Sequence, residues 1–298
     1  MDPSQYYLGN TLALLAALVW AFAVIMFKKS GEQVQPIALN LFKNLLSFFL
    51  IIPTTMIFGQ TLLHHAPAGD YWRLILSGAL GIGIADTLFL QSLNLLGAGL
   101  SAIVNCLYSP FIVLLSFLWL GEHLSFLQLG GVLLIILAVL TTTGINGKGA
   151  ISWRNLWLGI LWGVLAIVAN GLGVVIVKPV LEKSPLLWVT EVRLLSGIAV
   201  LAIALLFHPG RRGIMLPKIT PRGFLYTLSG SFAGAYLSMI IWLGAMKLTQ
   251  ASIVGPISQT SNVFIFLFAA LFLKEKVDRL RVFGIILAVS GSLLVAFG

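Results

Sequence analysis

Apolar residues fill ten runs of this chain, and short polar connections separate the runs. The runs cover residues 8–27, 37–58, 72–95, 98–120, 126–143, 156–177, 186–207, 223–246, 249–272 and 280–297. Each is close to the roughly 20 apolar residues that a helix needs to cross a bilayer. Because a helix satisfies its own backbone hydrogen bonds in lipid, the pattern predicts an all-α polytopic membrane protein with ten transmembrane helices.

The second half of the chain repeats the first at an offset of 150 residues. The matched pairs include Gly9 with Gly159, Lys28 with Lys178, Glu32 with Glu182, Lys43 with Arg193 and Ala85 with Ala235. We therefore expect two repeats of five helices, residues 1–148 and 149–298. Because five is an odd number, the two halves enter the membrane from opposite sides. This inverted-topology repeat is typical of secondary transporters, which bind their substrate where the repeats meet.

Composition and charge agree with a membrane protein. The 298 residues are 59% hydrophobic and 9% charged, whereas a soluble domain is about 25% charged. The net charge of +9 does not indicate nucleic acid, because the basic residues lie in short loops. Twelve Lys and Arg residues lie in the loops that follow odd-numbered helices, and four lie in the opposite loops and termini. The positive-inside rule then places both termini on the non-cytoplasmic side of the cell (inner) membrane.

Asp86 is an acidic residue deep inside the third predicted helix. At about 1.5 Å per residue, it lies roughly 20 Å from Arg73 and roughly 15 Å from Leu96. A charge at that depth costs at least about 2.5 kcal/mol, so we expect Asp86 to face protein or water. We interpret it as a functional residue that binds a cationic group or carries a coupling proton. A protonated, hydrogen-bonded structural role is the alternative.

Helices 4 and 9 each carry a proline beside polar residues. Since proline frees a backbone carbonyl within a helix, the neighbouring positions offer a polar site. Residues three apart share one helical face. We expect the two faces to form opposite walls of one substrate site, although membrane bundles also use such residues for interhelical hydrogen bonds. The residues are Asn105, Tyr108 and Pro110 on helix 4, and Pro256, Gln259 and Asn262 on helix 9.

Aromatic residues inside the spans add a third element to the predicted site. Trp20, Tyr236 and Trp242 lie within apolar runs, and the offset of 150 pairs Trp20 with Asn170 and Asp86 with Tyr236. An aspartate facing aromatic rings attracts an ammonium group by charge and by cation–π interaction. This arrangement predicts an amine or amino-acid substrate.

Four further charged residues are predicted to have structural roles. Lys43 and Arg193 lie about 10 Å inside helices 2 and 7. Because they are equivalent across the repeat, we expect a shared role such as capping the carbonyls of a neighbouring hairpin. Glu122 and Glu275 lie at the ends of helices 4 and 9. We expect them to order the short turns that follow.

The motif at these helix ends resembles a known family. The first half reads FLWLGEHLSFLQLGGVLLIILAV and the second AALFLKEKVDRLRVFGIILAVSG, with Lys274 in place of Gly121. Together with Trp20 in LLAALVWAF, they resemble the EamA-type transporters, the ten-helix members of the drug/metabolite transporter superfamily. The resemblance implies alternating-access movement of small solutes, often export of amino acids or other metabolites. It also implies a central cavity walled by helices 1, 3, 4, 6, 8 and 9, with helices 5 and 10 as scaffold.

We therefore expect a secondary-type transporter that exports amino acids, amines or related small metabolites. Its partners would be a small-molecule substrate and the lipid bilayer, with no nucleic acid, cofactor or metal, and it would be a monomer or a weak homo-oligomer. Two alternatives remain open. An intramembrane aspartyl hydrolase using Asp86 would need a second carboxylate that shares its proton. A membrane receptor or structural subunit would not need the paired polar faces or the inverted repeat.

Overall fold

The structure, a computed structural model, describes residues 3–60, 64–108, 110–111, 125–143, 151–215, 218–248, 254, 257–275 and 278–297. Helices and connecting turns, with no strand, make up these residues. In the first half, α1 is Pro3–Ser30, α2 is Pro36–Ile57, α3 joins Ala68–Gly78, Ala79–Ala85 and Asp86–Leu96, α4 is Ala98–Asn105, and α5 is Phe126–Thr143. In the second half, α6 is Trp153–Lys183, α7 is Leu186–Leu206, α8 joins Pro221–Gly230, Ser231–Ser238 and Met239–Leu248, α9 is Ser261–Phe272, and α10 is Arg279–Phe297. A short helix, Arg211–Met215, lies between α7 and α8.

The helices have the length and outer surface of a membrane protein. Within the described ranges, six segments are long and apolar enough to span a bilayer: Tyr7–Ser30, Pro36–Ile57, Ala68–Leu96, Trp153–Lys183, Leu186–Leu206 and Pro221–Met246. Large apolar side chains such as Phe49, Ile57 and Leu271 are more than half exposed, as lipid-facing residues are. The predicted all-α polytopic class is confirmed, whereas the count of ten spans stays a prediction. The expected continuous run 98–120 is interrupted, because α4 ends at Asn105.

Each main helix contact has an equivalent contact in which the helices of the two halves change places. Helix α1 packs on α8, and its counterpart α6 packs on α3. Helix α2 packs on α8, and its counterpart α7 packs on α3. The pairs α2 with α7, α4 with α9, and α5 with α10 each join a helix to its own counterpart. The contacts therefore look the same when the two halves are exchanged, as a two-fold relation between repeats requires.

The contact between α5 and α10 is close enough to exclude side chains. A Cβ atom at Gly131 would lie 2.6 Å from the carbonyl oxygen of Gly291, and a Cβ at Gly291 would lie 2.6 Å from the carbonyl oxygen of Gly131. Small residues let membrane helices approach closely and gain van der Waals contact. This glycine contact holds α5 and α10 together, away from the charged helices described below.

Both α3 and α8 contain a π-helical segment in the middle of the span. The segments are Ala79–Ala85 and Ser231–Ser238, which the repeat aligns with each other. A π-helical turn leaves its carbonyls without the usual α-helical partner and often marks a functional site. The α-helical part of α3 resumes at Asp86.

Candidate functional site

Asp86 forms an ion pair with Lys43 inside the helix bundle. The Lys43 Nζ lies 2.5 Å from Asp86 Oδ2, and the two side chains are 5% and 23% exposed. Helix α2 supplies the lysine and α3 the carboxylate. The ammonium of Lys43 thus binds a carboxylate, whereas carbonyl capping was the example given for its predicted structural role; that role stays a prediction. A pair with complementary charge and a hydrogen bond lowers the cost of placing each charge in the membrane.

Arg193 approaches the same carboxylate from the other half of the chain. A Cβ atom at Gly81 would lie 3.3 Å from a terminal guanidinium nitrogen of Arg193, which places the guanidinium beside the part of α3 that leads to Asp86. Because π-helical hydrogen bonds join residues five apart, Gly81 and Asp86 come to nearly the same side of α3. The repeat-equivalent cations thus meet the same part of α3, Lys43 in an ion pair with Asp86 and Arg193 against Gly81.

Polar side chains of α2 bind carbonyls in both π-helical segments. The amide nitrogen of Asn40 donates to the carbonyl oxygens of Ile82 at 2.8 Å and Gly83 at 3.1 Å. The hydroxyl of Ser47 donates to the carbonyl oxygen of Ala235 at 2.6 Å. Because a buried carbonyl without a partner is costly, these bonds stabilise the π-helical geometry that positions Asp86. Sequence analysis did not identify either residue, although polar residues on the inner side of an apolar helix are a usable signal.

Helices α4 and α9 meet through polar side chains where each helix is interrupted. In α4, the backbone nitrogens of Cys106 and Leu107 bond to carbonyls three residues back instead of four. Pro110 follows this turn, and it cannot donate to the carbonyl of Cys106 four residues before it, so the α-helical hydrogen-bond pattern is also broken there. The corresponding position in the second half is Thr260, whose nitrogen also bonds three residues back.

The predicted polar walls are in direct contact at this interruption. The Nδ2 of Asn105 donates to Asn262 Oδ1 at 3.1 Å, and the Nδ2 of Asn262 donates to Gln259 Oε1 at 2.8 Å. Asn262 is fully buried, whereas Asn105, Tyr108 and Gln259 are partly exposed. The structure therefore brings these residues together, in the interhelical hydrogen bonds that were the alternative interpretation. Pro256 and Glu122 lie outside the described residues.

The predicted aromatic residues occupy separate places. The Trp20 ring lies 6.0 Å from that of Phe89, one turn after Asp86. The hydroxyl of Tyr236 is 2.6 Å from Thr54 Oγ1 on α2, and Trp242 Nε1 donates to Ser258 Oγ at 3.1 Å. These residues join α8 to α2 and to the segment before α9. None of the contacts described for Tyr236 or Trp242 involves Asp86.

Asn170 is the remaining predicted residue, and it lies on α6 beside α3. Ser77 donates to the carbonyl of Gly173 at 2.7 Å, and Ser92 donates to the carbonyl of Gly159 at 2.7 Å. Asn170 lies between these two contacts on α6, just as Asp86 does on α3. It is partly exposed.

Glu275 binds the start of α4 and does not act within its own turn. Its Oε1 accepts from the backbone nitrogen of Ala98 at 2.8 Å, and its Oε2 accepts from that of Gly99 at 3.0 Å. Gly97 precedes them with φ of 83°, and a Cβ there would lie 2.8 Å from Glu275 Oε1. The carboxylate satisfies free donors at a positive helix end. Glu275 therefore links the second half to the first, which differs from the predicted role in the 9–10 turn.

Comparison with known proteins identifies the family. The sequence profile of the EamA-like transporter family matches residues 7–144 and 157–297. The chain belongs to the EamA-like transporter family. It is a membrane transporter, and it also resembles an uncharacterized transporter of Archaeoglobus fulgidus, with 27% identity over 95% of this chain and 96% of the relative.

Other similarities agree with this family. The protein PecM of Dickeya dadantii is 23% identical over 77% of this chain and 75% of its own length. A crystal structure with 18% sequence identity superposes with a TM-score of 0.67 and covers 97% of this chain and 96% of that one. At this identity, the superposition shows a shared fold alone. Within the described residues, no group of three His, Cys, Asp or Glu side chains could hold a metal ion.

Proposed function

We propose that this family member is a secondary-type transporter that exports amino acids or related small metabolites by alternating access. The observation that carries the proposal is the pair of interrupted helices. Helices α4 and α9 break at corresponding positions of the two halves, and Asn105 and Asn262 meet at the break. In inverted-repeat transporters, discontinuous helices in corresponding positions form the substrate site, because their unpaired backbone and polar side chains face the cavity.

The interrupted helices suggest how the substrate is held. In the described state, Asn105 and Asn262 bond to each other. We infer that a polar solute replaces this bond, with Gln259 and Tyr108 alongside it. Because hydrogen bonds between membrane helices contribute only about 0.6–2 kcal/mol each, such an exchange is accessible to a solute that brings its own donors and acceptors.

The remaining predicted residues would complete the site. Asp86 would supply charge near the middle of α3. Trp20 of α1 and Asn170 of α6 would line the substrate site at the depth of Asp86. Tyr236 and Trp242 would line it from α8. The proposed repeats are residues 1–148 and 149–298, which would rock against each other to open one side at a time.

The charge arrangement favours transport over intramembrane hydrolysis. An aspartyl protease shares one proton between two carboxylates. Asp86 instead pairs with the ammonium of Lys43. Glu191, another buried acid within the described spans, accepts from Thr55 at 2.7 Å on a different part of the bundle.

Transport into proteoliposomes tests the proposal. Wild-type protein should move at least one solute from a panel of labelled amino acids, purines and organic acids, and mass spectrometry should show the solute unchanged. Asn262→Ala should reduce the initial rate about tenfold or more, because Asn105 and Gln259 lose their shared partner. Leu267→Ala, an exposed position on the same helix, is the matched control and should transport normally. Failure to move any solute, or a chemically altered solute, would contradict the proposal.

We also propose that the loops after odd-numbered helices lie in the cytoplasm, as their Lys and Arg excess indicates. The chain has one cysteine, Cys106, and it is buried. A membrane-impermeant maleimide applied to intact cells should therefore label Arg73→Cys and leave Lys29→Cys unlabelled until the membrane is opened. The reverse labelling pattern would invert the topology.

A further inference from the structure

The charged residues in the centre of the bundle do not balance. Lys43 and Arg193 each carry a positive charge, and among the described residues the ion pair at this place joins Asp86 to Lys43, while Arg193 lies against Gly81 with no ion pair. Glu191 does not complete the balance, because it bonds to Thr55 and residues two apart on a helix do not face each other. The cluster thus carries one excess positive charge. An uncompensated charge within a membrane protein is costly and indicates a functional partner.

Arg193 retains an unused donor in this cluster. Its Nε is buried and has no hydrogen-bond partner, and its terminal nitrogen lies against Gly81, where no side chain intervenes. A buried donor without a partner costs about 1–3 kcal/mol. Asp86 is 23% exposed, so the cluster is not completely enclosed by the described residues.

We propose that Arg193, beside the Lys43–Asp86 pair, binds the carboxylate of the transported solute. This inference rests on the proposed transport function and specifies its substrate class. The bound carboxylate supplies the missing negative charge and accepts from the free Nε of Arg193. While the site is empty, the ion pair with Lys43 holds the Asp86 carboxylate in place. The carboxylate therefore does not move to Arg193 and occupy the position of the solute.

The geometry selects a monoanionic carboxylate. The guanidinium is a planar fork that matches a carboxylate with two parallel hydrogen bonds. One negative charge makes the cluster neutral, whereas a doubly charged phosphate ester would give it a net negative charge. A simple amine does not fit, because Asp86 already binds Lys43 and a second cation stands beside it. Amino acids therefore fit through their carboxylate, and the initial expectation of amine substrates does not follow from this arrangement.

Thermal unfolding of the full chain in detergent tests the assignment. The probes are the twenty protein amino acids, each compared with the matching amine that lacks the carboxylate, together with acetate, butyrate and benzoate at matched ionic strength. At least one carboxylate-bearing probe should raise the wild-type Tm by about 2 °C or more near tenfold its Kd, and its amine should not. No shift by any carboxylate, or a shift by the amines instead, overturns the proposal.

Substitutions at Arg193 separate binding from structure. Without ligand, Arg193→Gln should have a Tm equal to or above that of wild type, because it removes an uncompensated charge, and it should lose the carboxylate shift. Arg193→Lys keeps the positive charge but lacks the planar guanidinium with its two parallel donors. It should therefore need about tenfold more carboxylate for the same rise in Tm. The control Arg211→Gln, at an exposed position, should respond as wild type. A full carboxylate response in Arg193→Gln contradicts the proposal.

Transport distinguishes failure of this inference from failure of the proposed function. If wild type moves only solutes without a carboxylate, and Arg193→Gln moves them equally well, the carboxylate site is wrong and the transporter function stands. If wild type moves no solute at all, the proposed function itself fails.

Discussion

Removing Asp86 and removing Lys43 should not cost the same stability, because one carboxylate serves two cations. Asp86→Asn leaves Lys43, which is 5% exposed, and Arg193 without a counter-charge. Breaking a buried ion pair costs about 3–5 kcal/mol, and we expect Asp86→Asn to lower the free energy of unfolding by that amount. Lys43→Met leaves Asp86 facing Arg193. The remaining attraction should limit its cost to about 1–2 kcal/mol.

A double-mutant cycle measures this asymmetry. The double variant Lys43→Met/Asp86→Asn removes both partners and leaves one cation, so it should be more stable than Asp86→Asn alone. Equilibrium unfolding of the full chain in mixed lipid–detergent micelles, followed by circular dichroism, gives the four free energies. Lys178→Met, at an exposed position of α6, is the matched lysine control and should change stability by less than about 0.5 kcal/mol.

Two results would refute the reasoning. If Lys43→Met costs as much as Asp86→Asn, then Arg193 does not share the carboxylate. If the double variant costs the sum of the single variants, then Lys43 and Asp86 are not coupled, and their contact contributes nothing to stability.

The same unfolding measurement checks four further substitutions and one control, Gly130→Ala. Gly131→Ala should cost more than about 2 kcal/mol, because its Cβ would meet backbone 2.6 Å away, whereas Gly130→Ala has nothing within 4 Å and should be neutral. Glu275→Gln should cost about 1 kcal/mol, since it removes the charge that caps α4. Asn40→Leu should cost about 1–3 kcal/mol, because it removes the side-chain donor to the Ile82 carbonyl, whereas the Gly83 carbonyl still accepts from Thr87 at 2.7 Å. Lys274→Gly should stabilise by about 0.5–1 kcal/mol, because Lys274 has φ of 52°, where glycine is unstrained. An opposite sign in any of the four would contradict its stated cause.

Some parts of the site follow from sequence because they depend on local spacing. A proline among polar residues predicts an interrupted helix, and α4 is interrupted where Asn105 lies. The repeat offset aligns Asn105 with the polar stretch that contains Gln259 and Asn262, and the two stretches meet. Likewise, the depth of Asp86 follows from its distance to the span ends. These inferences need only the helical rise and the repeat.

Side-chain partners did not follow from sequence, since they depend on the rotation of separate helices. The pairing of Asp86 with Lys43 required α2 and α3 to face each other, and the approach of Arg193 required α7 to cross α3 at Gly78 and Gly81. The π-helical turns changed the face on which Asp86 lies, and no residue pattern in an apolar run indicates such a turn.

The sequence by itself determined the membrane class and the few polar residues within lipid-length helices, and it predicted the spans and the repeat. Those features are set by hydrophobicity and by spacing along one chain. The tertiary structure alone decided that the repeat-equivalent cations converge on a single carboxylate and that Glu275 caps a helix of the other half. Such contacts depend on helix rotation and crossing, which packing between distant segments sets and which local periodicity does not record.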